Sequence, residues 1–251
     1  MNRKYNIFLF LMIAVFNRLA AETEHYHLIQ DFYDHQNLGS FQDNKIRMKQ
    51  LLTERENGET AEIISSVFTM GEDSSVVLVK DDEDASQVYL TIEDSSWLYK
   101  PGLRSPLKIS DSFSVFGSLN LVDILGIKLI TEYEMMEEIA ADHDVLFRMK
   151  ALKEDAAYPF VEVRADLASG ELRTIILQGL NRRPLKEITL KDYSVISGNH
   201  RLPVWEIRDL LFSSDKITII RYLDVSGHNL PRSLFYPNVN SLTQLLRRIE
   251  E

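Results

Sequence analysis

The chain has 251 residues, with 28 Lys or Arg against 38 Asp or Glu, a net charge of −10, 45% hydrophobic residues and no cysteine. That balance argues against nucleic-acid binding or unassisted attachment to anionic lipid, because both reward basic patches. Without thiols there is no disulfide, no cysteine-based metal site and no lipid-modified N-terminal cysteine.

In chain order, the first feature is an address. Arg3 and Lys4 precede an apolar run from Tyr5 to Phe16, followed by Leu19-Ala20-Ala21 and Glu22, the layout of a secretory signal peptide. The run is too short to span a bilayer comfortably. Cleavage after Ala21 is expected, with an uncleaved anchor as the alternative, since Leu19 stands where a smaller residue is usual. Residues 1–21 hold Arg3, Lys4 and Arg18 and no acid, so the remainder is more acidic still. Residues 22–251 read as a single β-rich domain, long enough to bury about 70% of its unfolded surface.

From Glu22 to Gln36, Tyr26, Ile29, Phe32 and Tyr33 form one apolar helical stripe. His25 and His27, two apart, point in different directions on a helix and are expected to be solvated rather than to bind metal. Asn44–Leu52, Thr60–Met70, Ser75–Lys80, Gln87–Ile92 and Ser96–Lys100 then read as strands of an antiparallel meander, because their connections are short. The Asp81–Asp84 cluster is expected to be a solvated turn; it lacks the glycine and distal glutamate of a calcium loop.

The stretch from Ser96 to Ile127 organises the rest. Trp97 and Tyr99 share one strand face, Pro101-Gly102 turns the chain, and Lys108–Ser110 resumes extended structure. After Phe113 and Phe116, Gly117-Ser118 breaks the chain. Asn120 caps a short helix with Asp123 three residues on, and Gly126 ends it. A helix so short needs an apolar surface under Leu121, Val122, Ile124 and Leu125. Further strands are expected at Lys128–Glu138, Asp144–Leu152, Phe160–Leu167, Arg173–Leu180, Leu185–Val195, Leu202–Asp209 and Lys216–Leu223, with Pro203 at a strand start or on an edge. Leu230–Phe235 makes a turn, and Val239–Ile249 a closing helix.

The run Trp97-x-Tyr99-x-Pro101, a second strand ending in Ile109-Ser110, then Phe113, Gly117-Ser118 and the Val122–Leu125 helix resembles outer-membrane lipoprotein-sorting proteins of the LolA-like type. The resemblance implies a mainly β (α+β) fold: a curved antiparallel sheet forming an incomplete barrel, helices covering its concave face, and an acyl-binding cavity between them. It also implies a periplasmic monomer that shields acyl chains of lipoproteins, loaded by an inner-membrane transporter and unloaded to an outer-membrane acceptor.

Motifs for catalysis or cofactor binding are missing. There is no Gly-x-Ser-x-Gly elbow, no Gly-rich phosphate loop and no HExxH. Asp142-His143-Asp144 falls between two expected strands and reads as a turn, and His200 and His228 are lone turn histidines, so neither an enzyme nor a bound cofactor or metal is expected. Candidate cavity or lid residues are Met48, Trp97, Tyr99, Phe113, Phe116, Leu121, Leu125 and Trp205, each with ordinary core as the competing assignment. Two further functions stand beside the lipoprotein carrier: a carrier of free lipid, and a regulatory module of the same fold that contacts the periplasmic part of a membrane-bound anti-sigma factor.

Overall fold

The computed structural model describes residues 24–36, 45–71, 73–80, 86–110, 112–198, 200–211, 215–236 and 241–250. The expected signal segment and the Asp81–Asp84 turn lie outside them, as does the Tyr33 side chain.

Among the described residues, thirteen antiparallel strands form one curved sheet that does not close into a barrel. The chain enters at its centre with β1 (Lys45–Glu56) and zigzags to one edge through β2 (Glu59–Met70), β3 (Ser74–Lys80), β4 (Ser86–Ile92), β5 (Ser95–Tyr99) and β6 (Leu107–Ile109). It then crosses to the opposite edge. A small hairpin of β7 (Ser114–Phe116) and β8 (Leu119–Asn120), with two short helices, forms this crossover. The second meander returns from β9 (Tyr133–Ala140) through β10 (Asp144–Ala151), β11 (Phe160–Asp166), β12 (Leu172–Gln178), β13 (Pro184–Ile196) and β14 (His200–Asp209) to β15 (Ile217–Gly227), which pairs with β1. Gly227 stands opposite Ile46 and Ile217 opposite Arg55, so the two meanders are joined along nearly the whole length of β1.

The helices divide between the faces. Helix α1 (His27–Gln36) buries Leu28, Ile29 and Phe32, and α2 (Leu121–Leu125) buries Leu121 and Ile124, all in the large cluster on the inner face. Helix α3 (Leu129–Glu132) occupies the start of the segment expected to be a strand from Lys128; Glu132 N donates to Lys128 O, and extended structure begins only at Tyr133. The C-terminal helix α4 (Leu242–Glu250) and a 3-10 turn (Arg232–Phe235) instead cover the outer face of β2–β5. There Leu234, Phe235 and Leu245 pack on Phe68, Val76, Leu78, Val88, Leu90 and Tyr99.

Pro203 departs from expectation. It lies inside β14, an internal strand, yet disturbs neither ladder. The β13 register shifts between Lys191 and Ser194, opposite Val204 and Leu202, and pairing of β14 with β15 begins only at Trp205. A residue without an N–H is tolerated where a bulge removes the need for one.

Candidate functional site

The crossover lies against the inner face, and four strands hold it there. Its first contact is Gly117, at φ +56°: a Cβ there would stand 1.8 Å from Glu54 Oε2 of β1 and 3.1 Å from Thr218 Oγ1 of β15. Next to it, the Ser118 and Thr218 hydroxyls are hydrogen-bonded at 2.8 Å. On β1, Gln50 Nε2 donates to Ile124 O at 3.5 Å.

The strongest anchor is ionic and buried. Asp123 accepts from Lys186 Nζ of β13 at 2.5 Å, from Asn120 N at 2.8 Å and from Tyr158 Oη at 3.0 Å. Lys186 Nζ also donates to Ser118 O at 2.7 Å and lies 5.9 Å from the centre of the Tyr158 ring. Tyr133 Oη donates to Tyr158 O at 3.0 Å, which ties β9 into the same network. Burial, and then the Asp123 charge, push the Tyr158 hydroxyl far above its ordinary range, so it remains a donor. Every oxygen of the buried carboxylate is thus satisfied, as a buried charge requires.

Beside this network a cavity of about 150 Å³ opens between the two flanks of the sheet. Leu121, Val122 and Leu125 form one wall, Tyr133, Ala151, Ala156, Ala157 and Tyr158 another, and the β2–β3 and β4–β5 turns a third. At its mouth Lys153, from the β10–β11 loop, forms an ion pair with Asp94 of the β4–β5 turn, bridging the flanks.

Of the residues singled out in the sequence, Leu121 and Leu125 line this cavity. Met48, Phe113, Phe116 and Trp205 belong to the same inner-face cluster as Leu121 without lining the cavity, and Phe113 lies 6.3 Å from Tyr89 by ring centres. Trp97 and Tyr99 are on the other side of the sheet. Leu98, between them, points inward, so alternation carries both aromatics to the outer face beneath the 3-10 turn and α4. Tyr158 and Lys186 escaped notice, although Lys186 carried a signal. It shares strand parity with Ile188 and Leu190, and a lysine on the buried face of a strand requires a partner.

His25 also differs from expectation: it precedes α1, and its Nδ1 lies 2.7 Å from Glu138 Oε1 of β9, while His27 is exposed. Asp142 and His143 lie in the β9–β10 turn and Asp144 opens β10, with Ala141 N donating to Asp144 O. Among the described residues no group of His, Asp and Glu is arranged to hold a metal, and no helix is long and apolar enough to cross a membrane.

Residues 71–239 match the model of a family described as "Uncharacterized protein"-like. Among curated proteins none matches the sequence. Solved structures of the same fold include a LolA superfamily protein of Nitrosomonas europaea, at 16% identity and TM-score 0.69 over 82% of this chain and 96% of that one. A putative outer membrane lipoprotein-sorting protein domain of Vibrio parahaemolyticus matches at 14% identity and TM-score 0.62, over 85% and 96%. A DUF1329 family protein of Desulfovibrio piger matches at 13% and 0.63, over the same shares.

Proposed function

The chain belongs to this "Uncharacterized protein"-like family and has the LolA-like fold, and from that premise we propose that it is a periplasmic carrier that shields the acyl chains of lipoproteins bound for the outer membrane. The observation that carries the reading is the cavity between the flanks, walled by the apolar side of a helix that rests on the sheet through a few polar anchors. Helix α2 has five residues and no stability of its own, so it moves with those anchors.

Magnitudes favour a lid over a permanent tunnel. A cavity of 150 Å³ is about what an engineered apolar pocket needs to take up benzene. A whole acyl chain therefore requires α2 to lift and the inner face to accept the chain. Burying a methylene gains roughly 0.8 kcal/mol, so a long chain gains on the order of 10 kcal/mol over water, about what a bilayer also offers. Opening the lid costs part of that gain, which keeps cargo from being held more tightly than the membrane holds it. On the inner face, Gln50 Oε1, Ser65 Oγ and Trp205 Nε1 are buried without a partner among the described residues; Gln50 and Ser65 stand opposite each other on β1 and β2. They would offer hydrogen bonds to the ester or amide end of a chain.

The two tryptophans lie on opposite faces and provide the test. In the Trp97→Phe variant the remaining Trp205 should be quenched saturably by a fatty acid brominated along its chain. In the Trp205→Phe variant, Trp97 under α4 should not respond. If neither tryptophan responds to any brominated chain, the carrier reading falls. Mass spectrometry of material that co-purifies with the protein then separates lipoprotein from free lipid cargo, and recovery of a single membrane protein without lipid would favour a regulatory module.

A further inference from the structure

Three neighbouring hairpin tips at one end of the returning meander expose leucine where turn residues are usual. The β12–β13 turn presents Leu180, 80% exposed, in a segment expected to be strand; the β14–β15 loop presents Leu210 and Leu211, and the β10–β11 loop Leu152. The ladder fixes their adjacency. Phe160 stands opposite Gln178, Lys186 stands opposite Asp209, and Leu210 N donates to Leu185 O at 2.8 Å. Alternate strands are about 10 Å apart, so the three tips form a row on the order of 20 Å long.

Charge is distributed unevenly along this row. Leu180 is followed by Asn181, Arg182 and Arg183, all exposed, within a chain of net charge −10. Arg182 holds its guanidinium 4.8 Å from the centre of the Phe160 ring and adopts φ +59°, a backbone conformation that glycine or asparagine takes more readily. Neither an exposed leucine nor a left-handed arginine is what the turn itself favours. Glu154 and Asp155 follow Leu152, and Asp209 precedes Leu210 and accepts from Leu211 N, so the cations are concentrated at the central tip and both outer tips carry acid.

We propose that this end of the sheet docks on an anionic phospholipid bilayer, with Leu180, Leu210 and Leu211 entering the interface and Arg182 and Arg183 meeting lipid phosphates. A row of apolar tips along one end of a sheet can meet a bilayer surface together, and two adjacent cations beside the most exposed leucine supply the charge complementarity. The acidity of the rest of the chain repels the same surface, which makes docking reversible and sensitive to salt. The inference stands independently of the carrier reading, although the β10–β11 loop of this row also walls the cavity through Ala156, Ala157 and Tyr158.

The test is flotation of the chain from Glu22, which retains every described element, with vesicles of phosphatidylglycerol and phosphatidylethanolamine, against vesicles of phosphatidylcholine alone. The chain should float with the anionic vesicles, less so at high salt, and only weakly with phosphatidylcholine. Leu180→Asp should weaken flotation at least about tenfold, as expected for withdrawing one inserted leucine. Arg182→Glu with Arg183→Glu should remove the salt-sensitive part. Both variants change exposed side chains, and an unaltered thermal transition will show that the fold is intact. Failure to float with either vesicle, or Leu180→Asp floating like the parent chain, would overturn the proposal. Quenching of Trp205 by brominated chains in solution does not involve this row, so loss of one behaviour without the other identifies which reading has failed.

Discussion

Lys186 Nζ on β13 lies 2.5 Å from Asp123 Oδ2 on α2, with the two side chains 6% and 0% exposed. This contact ties the second meander to the crossover, 63 residues away in sequence. Replacing Lys186 with Met should leave Asp123 buried without its cation and cost about 3–5 kcal/mol in urea unfolding. The double variant with Asp123→Leu should recover much of that loss. A single variant as stable as the parent chain would mean that the pair is not held out of water.

Gly117→Ala should destabilise the protein well beyond Gly58→Ala. Both glycines have positive φ, but a Cβ at Gly58 meets nothing within 4 Å, whereas at Gly117 it collides with Glu54 Oε2. To swing aside, Glu54 would have to break its ion pair with Lys216 Nζ, 3.0 Å away. Removing glycine at positive φ costs roughly 1 kcal/mol, and the collision adds to it. The difference between the two thermal midpoints is the measurement; equal midpoints would mean that the crossover shifts away from β1.

Lys153→Gln should leave stability within about 1 kcal/mol of the parent, since the Lys153–Asp94 pair is exposed. Its effect is expected in kinetics. With the bridge across the cavity mouth gone, brominated fatty acid should quench Trp205 faster, and the salt dependence of that rate should shrink. An unchanged rate would show that cargo enters elsewhere.

His228 sits between Phe68 and Phe235, accepts from Leu230 N through Nδ1 at 3.2 Å and places Nε2 2.7 Å from Thr69 O. The neutral ring satisfies both contacts. Burial lowers its pKa, and nearby Lys45 lowers it further against the opposing Thr69 bond. The unfolded chain therefore takes up a proton here before the folded chain does. This contribution to stability is complete above the ordinary histidine range, near pH 6.5, and is lost as pH falls through the lower folded value. Urea unfolding between pH 7.5 and 5 (about one unit either side of that range) should show a decline that His228→Gln reduces.

Much of this architecture was legible locally. Alternation marked Val161, Val163, Ala165 and Leu167 as one face of a half-wet strand; the first three are buried in β11, whereas Leu167 lies past its end and is half-buried. The Asn120–Asp123 spacing predicted how α2 starts, and Asn120 N donates to Asp123. Lysine at the Ile188 parity of β13 was a readable anomaly. By contrast, pairing of β1 with β15 has no local signal, because its partners are separated by some 160 to 180 residues and only the completed sheet brings them together.

That Trp97 and Tyr99 share a face follows from their spacing alone, since side chains along a strand must alternate. Which of the two faces they occupy depends on how the folded chain packs around the sheet. In β3 the consecutive residues Val76, Val77, Leu78 and Val79 are all buried, Val77 and Val79 under the crossover and Val76 and Leu78 under the C-terminal segment. Where both faces of a sheet are covered, both parities are apolar and the pattern loses its sense of direction. Which side chains lie on each face is then set by what packs there: the crossover from one edge of the sheet, and α4 from the end of the chain.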